Sequence, residues 1–237
     1  MSGFVPAGTV RERRHAETVA EIKAAALQRM ADGGAPAMSL RAVARDVGVS
    51  VQALYHYFPS RDALLTSLVA DSFVNLADAV RAGGAGDGVS AREGVVNACL
   101  AYRRWALAHR SEFLLALGVP IPDYEAPLDG PTTGAAAGLG RVFRDVLFGD
   151  WSAEELARVP LPADLPALND RLRGSPQPWP DLPPGAFAQF TIGWATLHGL
   201  VMLELLGQLT WIDDAGEEMC RAALVTYLDH LDSLRTV

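Results

Sequence analysis

Apolar side chains recur every three or four residues along most of this 237-residue chain, which is the spacing of an amphipathic helix. No segment alternates apolar and polar residues as a half-buried strand does, and no repeat of fixed period is visible. The pattern therefore predicts an all-α protein. It is interrupted at the glycine-rich residues 83–90, a predicted flexible break, and at residues 159–185. The second stretch holds 8 of the 15 prolines and predicts a long surface loop or a partly disordered insertion.

The N-terminal part predicts one long helix followed by three shorter helical units. Thr9 and Glu12 have the spacing of a capping box, and the glycines at 33–34 are expected to end the first helix. Each of the next three apolar runs follows a serine that is predicted as an N-cap. These serines are Ser39, Ser50 and Ser60.

The first two of these units, residues 39–58, predict a helix-turn-helix with its tight turn at Gly48. Ala44 is small enough for the second helix to pack closely against the first. Such a unit places its second helix in the major groove of DNA. Gln52 is the one obvious base reader on that helix, because an amide can pair twice with adenine. On spacing alone, an ordinary helical hairpin is an equally good interpretation.

A longer motif resembles the TetR family of transcriptional regulators. Its residues are Val49-Ser50-x-x-Ala53-Leu54-Tyr55-x-x-Phe58-x-x-Arg61-x-Ala63-Leu64-Leu65, after a Ser-Leu-Arg-x-Val-Ala opening. The resemblance covers roughly residues 12–72 and implies a three-helix DNA-binding domain. It also implies a set of DNA contacts by position, namely Arg41, Val51, Gln52, Ala53, Tyr55, Tyr57 and Arg61. Gln52 stands where small residues are frequent, Tyr57 where histidine is common and Arg61 where lysine is usual, and these departures bear on the operator sequence.

Residues 90–237 predict a larger C-terminal helical domain. The segments Tyr102–His109 and Trp194-x-x-x-His198-Gly199 are similar to a TetR subgroup whose C-terminal domain is named for a Trp, His and Gly pattern. That resemblance implies a dimeric repressor released by a small molecule. Aromatic walls with a few polar groups suit a planar or hydrophobic effector. The predicted pocket residues are Tyr102, Trp105, Phe113, Leu117, Trp194, His198 and Met202. Taken one at a time, each of them is explained equally well as a residue of the hydrophobic core.

The last two predicted helices, near residues 185–211 and 214–235, are apolar on two sides and must be covered on two sides. We expect one cover to be the rest of the domain and the other a second subunit, in a four-helix bundle. The alternative is that the helix pair simply forms the core of one subunit. The predicted dimer interface consists of Gly193, Thr196, Leu200, Leu203, Gly207, Cys220, Leu224, Tyr227, Leu231 and Leu234.

The formal net charge of −8 at first argues against a nucleic-acid partner, because binding to phosphates requires positive charge. However, residues 1–65 hold 8 Lys/Arg and 6 Asp/Glu, whereas residues 66–237 hold 12 and 22. The split predicts a mildly basic head of +2 that faces phosphates and an acidic body of −10 that stays away from them.

An enzyme, or a helical small-molecule-binding protein without a DNA role, is the alternative class. The sequence lacks the His-Glu-x-x-His and Gly-x-Ser-x-Gly motifs and a phosphate-binding glycine loop, so we expect no catalytic site, metal or cofactor. The N-terminus lacks the apolar core of a secretory signal. The uncharged run 190–203 is shorter than the ~20 residues of a membrane span. We therefore expect a cytoplasmic protein.

Overall fold

The computed structural model describes residues 9–34, 38–118, 121–161 and 182–235. Within these ranges the chain forms helices and no strand, which confirms the predicted all-α fold. Most of the predicted loop 159–185 lies outside the described residues. The helices are α1 (Val10–Gly33), α2 (Leu40–Val47), α3 (Val51–Tyr57), α4 (Arg61–Gly84), α5 (Ala91–Ala108), α6 (Arg110–Leu117), α7 (Pro131–Phe148), α8 (Ala153–Arg158), α9 (Pro184–Leu205) and α10 (Gly216–Arg235), with a 3-10 turn at Thr210–Ile212 between the last two.

Side-chain caps set most of the helix starts that the sequence predicts. Thr9 and Glu12 form a two-sided capping box, and the hydroxyls of Ser39, Ser50 and Ser60 each accept a hydrogen bond from the amide three residues on. Helix α6 is different, because it begins at Arg110 without a side-chain cap. The last two helices also differ in extent, since α9 ends at Leu205 and not near residue 211.

Helices α1 to α3 and the first turn of α4 form the head, residues 9–65. Ile22 of α1, Val43 of α2 and Leu54 of α3 are fully buried and make its core. Gly48 ends α2 with φ of +76°, a left-handed conformation that a residue with a side chain rarely adopts. These local features hold α2 and α3 together as a helix-turn-helix.

The remainder of α4 and helices α5 to α10 form the body, and α4 packs along both α5 and α7. Gly83 and Gly84, predicted as part of a flexible break, are instead the last turn of α4. A Cβ atom at Gly83 would overlap the Ala101 methyl group and lie 3.0 Å from the Asn97 carbonyl oxygen. The glycines therefore allow close contact between the α4 and α5 backbones, and the break shortens to the connection 85–90.

Arginine–carboxylate pairs attach the C-terminal helix α10 to the rest of the body. Near the C-terminal end of α9, the Arg103 guanidinium is almost buried and binds both carboxylate oxygens of Glu204, at 2.8 and 2.5 Å. It also donates to Glu217 at 3.3 Å. Three further arginines connect α10 to helices α5 and α8 and to Asp150 in the turn between α7 and α8. The pairs are Arg92 with Asp229 and Asp232, Arg221 with Glu93, and Arg235 with Asp150 and Glu155.

Part of the predicted dimer face of α9 and α10 is buried within the single subunit. Cys220, Leu224 and Leu231 are 2%, 4% and 1% exposed in the single subunit, so they belong to its own core. Gly193 lies against the Tyr227 ring, whose hydroxyl donates to the Gln189 carbonyl at 2.7 Å, so this contact is also internal. The regular apolar spacing marks the side that packs inward.

Helices α4 and α9 are long and apolar enough to cross a membrane, by length and composition alone. A buried helix of a soluble protein passes the same test. Half of the most apolar stretch of α4 and a third of that of α9 are buried inside the fold.

Candidate DNA interface and ligand cavity

The outward side of α3 is polar and exposed. Leu54, on the inward side, is fully buried and anchors the helix to the head. Gln52 and His56 are four residues apart, lie opposite Leu54 and are both exposed. Tyr55, beside them, is 49% exposed. His56 was not among the predicted contacts, although its spacing from Gln52 is a signal that the sequence carries.

The structure divides the other predicted DNA contacts into exposed, half-buried and internally bonded side chains. Arg41 is exposed, whereas Val51 and Ala53 are half-buried, with Val51 packed on the core. Tyr57 is half-buried and stacks on His15, with ring centroids 4.9 Å apart. Arg61 donates from Nε to the Met38 carbonyl at 3.2 Å. Arg61 therefore contacts the segment that precedes α2.

Lys23 and Arg29 of the head form salt bridges with carboxylates. Lys23 pairs with Asp71 at 2.5 Å, and Arg29 pairs with Asp46 at 2.5 Å. The hydrogen bond from Arg29 lowers the pKa of Asp46 below its ordinary value, so this pair stays ionised. Among the described residues, Arg41 has no such partner.

Four of the predicted pocket residues form one aromatic cluster in the body. Tyr102 is fully buried and its hydroxyl lies 2.9 Å from Nδ1 of His198. Its ring meets those of Phe113 and Trp194 edge-on, with centroids 5.4 and 5.6 Å apart. Trp194 in turn stacks on His198 at 5.5 Å. Phe143 completes the cluster by edge contacts with Tyr102 and Trp194. Phe143 was not among the predicted pocket residues.

The other three predicted pocket residues make no ring contact with this cluster. Trp105 is half-buried and stacks on His109, with centroids 4.8 Å apart. Leu117 and Met202 are half-buried and pack on the core. Their apolar spacing is therefore that of core residues.

The polar groups of the cluster are uncharged at neutral pH. Burial lowers the pKa of His198 below its ordinary value and raises the pKa of Tyr102 well above its own. A neutral imidazole has one donor and one acceptor nitrogen, so one hydrogen bond to the Tyr102 hydroxyl leaves Nε2 with the complementary role. The cluster can thus supply one hydrogen bond inside an otherwise apolar surrounding.

A small apolar cavity adjoins the cluster between α5, α7, α9 and α10. Its volume is about 30 Å³, which is room for about one water molecule. Phe143 and Trp194 line the cavity and also belong to the cluster, and Cys99 is a further lining residue. Burial raises the pKa of Cys99 to about 12, so its thiol stays protonated. The lining residues are Val95, Cys99, Phe143, Val146, Leu147, Phe190, Gly193, Trp194, Leu197, Leu224, Tyr227 and Leu228.

The described residues contain no group of three His, Cys, Asp or Glu side chains that could hold a metal ion. His198 and Glu204, both on α9, take separate partners, since His198 bonds to Tyr102 and Glu204 binds Arg103.

A head with an exposed helix-turn-helix on a larger helical body is the architecture of a DNA-binding transcriptional regulator. Comparison with known families agrees with this class. Residues 22–68 match the family of bacterial regulatory proteins, tetR family, and residues 95–227 match the tetracyclin repressor-like C-terminal domain. The chain belongs to the TetR family, and the resemblance inferred from its sequence is confirmed for both parts.

Individual relatives extend the similarity over most of the chain. The HTH-type transcriptional regulators Rv1816 of Mycobacterium tuberculosis and Mb1846 of Mycobacterium bovis are each 31% identical to it over 207 residues, which is 84% of this chain and 86% of theirs. The crystal structure of the regulatory protein SCO4313 is 32% identical, with a TM-score of 0.74, over 93% of this chain and 100% of that one. A TetR family regulator from Shewanella sp. PV-4 is 16% identical, with a TM-score of 0.60 over 87% of this chain and 95% of its own, and shares the fold. The names of these matched proteins indicate a family of transcriptional regulators.

Proposed function

We propose that this regulator is a dimeric repressor in the cytoplasm that leaves its operator when a small apolar or aromatic effector enters the body. The outward face of α3 carries the DNA-binding part of the proposal. It presents two polar side chains, Gln52 and His56, on a helix that Leu54 fixes to the head. A helix of this kind fits the major groove, where its exposed residues meet base edges.

The predicted contacts take different roles on this surface. Gln52 reads a base, because it is exposed and its amide can pair twice with adenine. Tyr55 and Arg41 are placed for phosphate contacts by hydroxyl and guanidinium. Val51, Ala53 and Tyr57 are half-buried and contact DNA by their edges, while Arg61 positions the head through its bond to Met38.

The test of base reading compares Gln52→Ala with Gln208→Ala, which removes the same side chain from an exposed position in the body. Affinity for DNA from upstream of the protein's own gene is measured by fluorescence anisotropy. Loss of a bidentate contact costs about 1–3 kcal/mol, so we expect Gln52→Ala to weaken binding roughly 5- to 150-fold. Gln208→Ala should bind like wild type. Failure of the wild-type protein to retard any upstream DNA would contradict the proposal and favour a binding protein or enzyme without a DNA role.

The dimer that we propose uses the outer face of α9 and α10. TetR-family regulators act as dimers, and this face leaves large apolar side chains exposed in the single subunit. Leu203 and Gly207 are predicted interface residues that remain accessible, whereas Thr196, Leu200 and Leu234 are half-buried. The large exposed residues beside them are Ile192, Leu206, Trp211 and Met219.

Leu203→Glu tests this interface against Leu107→Glu on α5. The two leucines are 39% and 38% exposed, so the substitutions differ chiefly in place. A carboxylate in a dry interface is costly to bury, so Leu203→Glu should give monomers in sedimentation velocity experiments. Leu107→Glu should remain a dimer. A dimer with Leu203→Glu, or a wild-type monomer at micromolar concentration, would be the contrary result.

The effector site that we propose is the cavity between α5, α7, α9 and α10. At about 30 Å³ it must open to admit an effector. Two of its walls, α5 and α7, are the helices that pack on α4, so opening it displaces α4 and changes the separation of the two heads in a dimer. Because half-site spacing on DNA is fixed by the helical repeat, a small change in separation favours release.

Release is tested with small aromatic compounds that raise the unfolding temperature of the full-length protein. A compound that binds in the cavity should weaken DNA binding, and DNA should weaken its binding by the same factor. Val146→Phe fills the cavity wall and should abolish the response to the compound while DNA binding persists. Equal affinity for the compound with and without DNA would show that the sites are uncoupled.

A further inference from the structure

An open groove lies between the first turns of α1 and the helix α3, beside the base-reading face. Arg41 on α2 and Arg61 on α4, which the family resemblance predicts as DNA contacts, do not line this groove. Its residues come from the two helices in turn: Val10, Arg11, Arg14, His15 and Thr18 from α1, and Ala53, His56 and Tyr57 from α3.

The groove is lined by cations and by no carboxylate. Arg11 and Arg14 are exposed, and no carboxylate among the described residues pairs with either of them. The nearest acidic residue of α1, Glu12, is taken up by the capping box, where its Oε2 accepts from the Thr9 amide at 2.6 Å. The positive charge in the groove therefore belongs to side chains that are available to an external anion.

The spacing of α1 explains this concentration of charge. Residues three and four apart share one face of a helix, so Arg11, Arg14 and His15 point to the same side. Arg13 and Glu17, four residues apart, share a different face, and neither lines the groove. His15 is held in place by stacking on Tyr57, which ties the α1 face to α3.

The position of the groove suits a DNA strand. An α-helix with its side chains is about 10–12 Å across and the major groove is about 12 Å wide, so phosphates flank a reading helix on both sides. Gln52 and His56 face the base edges in such a complex. Ala53 and Tyr57, on one flank of α3, face the groove, so a strand on that flank passes the α1 arginines.

We propose that Arg11 and Arg14 bind the phosphate backbone of duplex DNA beside α3, with His15 as a further hydrogen-bond donor. This inference rests on the proposed DNA-binding function and adds α1 to the surface that binds. Backbone contacts of this kind fix the register of the reading helix and carry no base specificity.

The experiment uses the full-length protein and a labelled random-sequence duplex of about 30 base pairs, because phosphate contacts do not depend on sequence. Kd is measured by anisotropy over a salt series for wild type, Arg14→Gln, Arg11→Gln with Arg14→Gln, and Arg13→Gln. Each lost phosphate contact reduces the slope of log Kd against log salt by about 0.9. We expect a reduction of about 0.9 for Arg14→Gln and about 1.8 for the double variant, with the wild-type slope for Arg13→Gln. Arg14→Lys keeps the charge and should keep the slope.

Arg13→Gln is the matched control, since it removes the same charge from an exposed position one residue away. An equal effect of Arg13→Gln and Arg14→Gln would overturn the inference, because it would mean that net charge and not the groove matters. A wild-type slope in the double variant would also overturn it and leave the proposed function intact. Failure of the wild-type protein to bind any duplex would overturn both. Unfolding temperatures equal to that of wild type verify that the variants fold.

Discussion

The head and the body use arginine in opposite ways. In the head, several arginines are exposed and have no carboxylate partner among the described residues. In the described part of the body, most arginines bind carboxylates, and several of these pairs join α10 to its neighbours. Arg110 and Arg141 are the exposed body arginines without a carboxylate partner there, and Arg110 instead donates to the Leu205 carbonyl. Within the described ranges, the head arginines without a carboxylate partner are Arg11, Arg13, Arg14 and Arg41.

This difference explains why the net charge of −8 misleads. An arginine that neutralises a neighbouring carboxylate adds stability but little potential at a distance, whereas an unpaired arginine can displace counterions from DNA. The head therefore attracts phosphates more strongly than its formal charge of +2 suggests. The acidic body adds no comparable attraction.

The largest effect is expected from the buried arginine of the body. Arg103→Ala leaves Glu204 and Glu217 without the guanidinium that both contact, and breaking such a pair typically costs about 3–5 kcal/mol. Because Glu204 is partly exposed, we expect a loss of about 3 kcal/mol in the free energy of unfolding by urea. Arg104→Ala removes an exposed neighbour that lies 3.9 Å from Glu217 and should cost less than about 0.5 kcal/mol. Equal losses would mean that burial of the pair is not what matters.

The two regions share α4, and its C-terminal glycines provide the next test. Gly83→Ala places a methyl group against Ala101 and should destabilise the body by about 1–3 kcal/mol through overpacking. Gly134→Ala in α7 meets nothing within 4 Å and should be neutral or stabilising by up to about 1 kcal/mol, since alanine favours the helix. Urea unfolding distinguishes the two. A stable Gly83→Ala variant would show that α4 and α5 need not approach so closely.

A smaller, pH-dependent effect is expected at Arg235. The pKa of Glu155 is lowered from 4.5 to about 2. The hydrogen bond from Arg235 has the largest effect, and the hydrogen bonds with Ser152 have the next largest. A carboxylate whose pKa is lower in the folded protein contributes stability above pH 4.5 and loses it as the pH falls toward 2. Arg235→Ala should therefore destabilise the protein at pH 7 and differ less from wild type at pH 3.

The control for this prediction is Arg158→Ala, which breaks an exposed pair with Glu154 on one helix turn. It should leave the pH dependence of unfolding as in wild type. A difference between Arg235→Ala and wild type that stays constant from pH 7 to pH 3 would contradict the role assigned to Glu155.

Sequence reasoning predicted what local chemistry determines. The serine caps, the left-handed Gly48 and the face of α3 opposite Leu54 depend on residues within one or two helix turns. The helix-turn-helix could therefore be located from the sequence, and the TetR resemblance removed the ambiguity with an ordinary hairpin.

Features that depend on distant parts of the chain could not be predicted in the same way. Helices α9 and α10 are apolar on two sides, so spacing alone could not show that Cys220 and Leu224 face α5 and not a partner. A glycine in a sequence can indicate either a flexible segment or close packing of two helices. Only the position of α5 shows that close packing is the role of Gly83. Phe143 and Trp194 are far apart in sequence, and their contact follows from the packing of α7 on α9.

The central claim is that unpaired arginines on the DNA-facing surface of the head, Arg41 among them, and not the charge of the whole protein, bind DNA. Arg41→Gln and Arg141→Gln test it most directly, because both residues are exposed, lack a carboxylate partner among the described residues and carry the same charge. Binding of the full-length protein to its upstream DNA is measured by anisotropy over a salt series. We predict that Arg41→Gln weakens binding and reduces the salt slope by about 0.9, while Arg141→Gln binds like wild type. Equal losses in the two variants would contradict the claim.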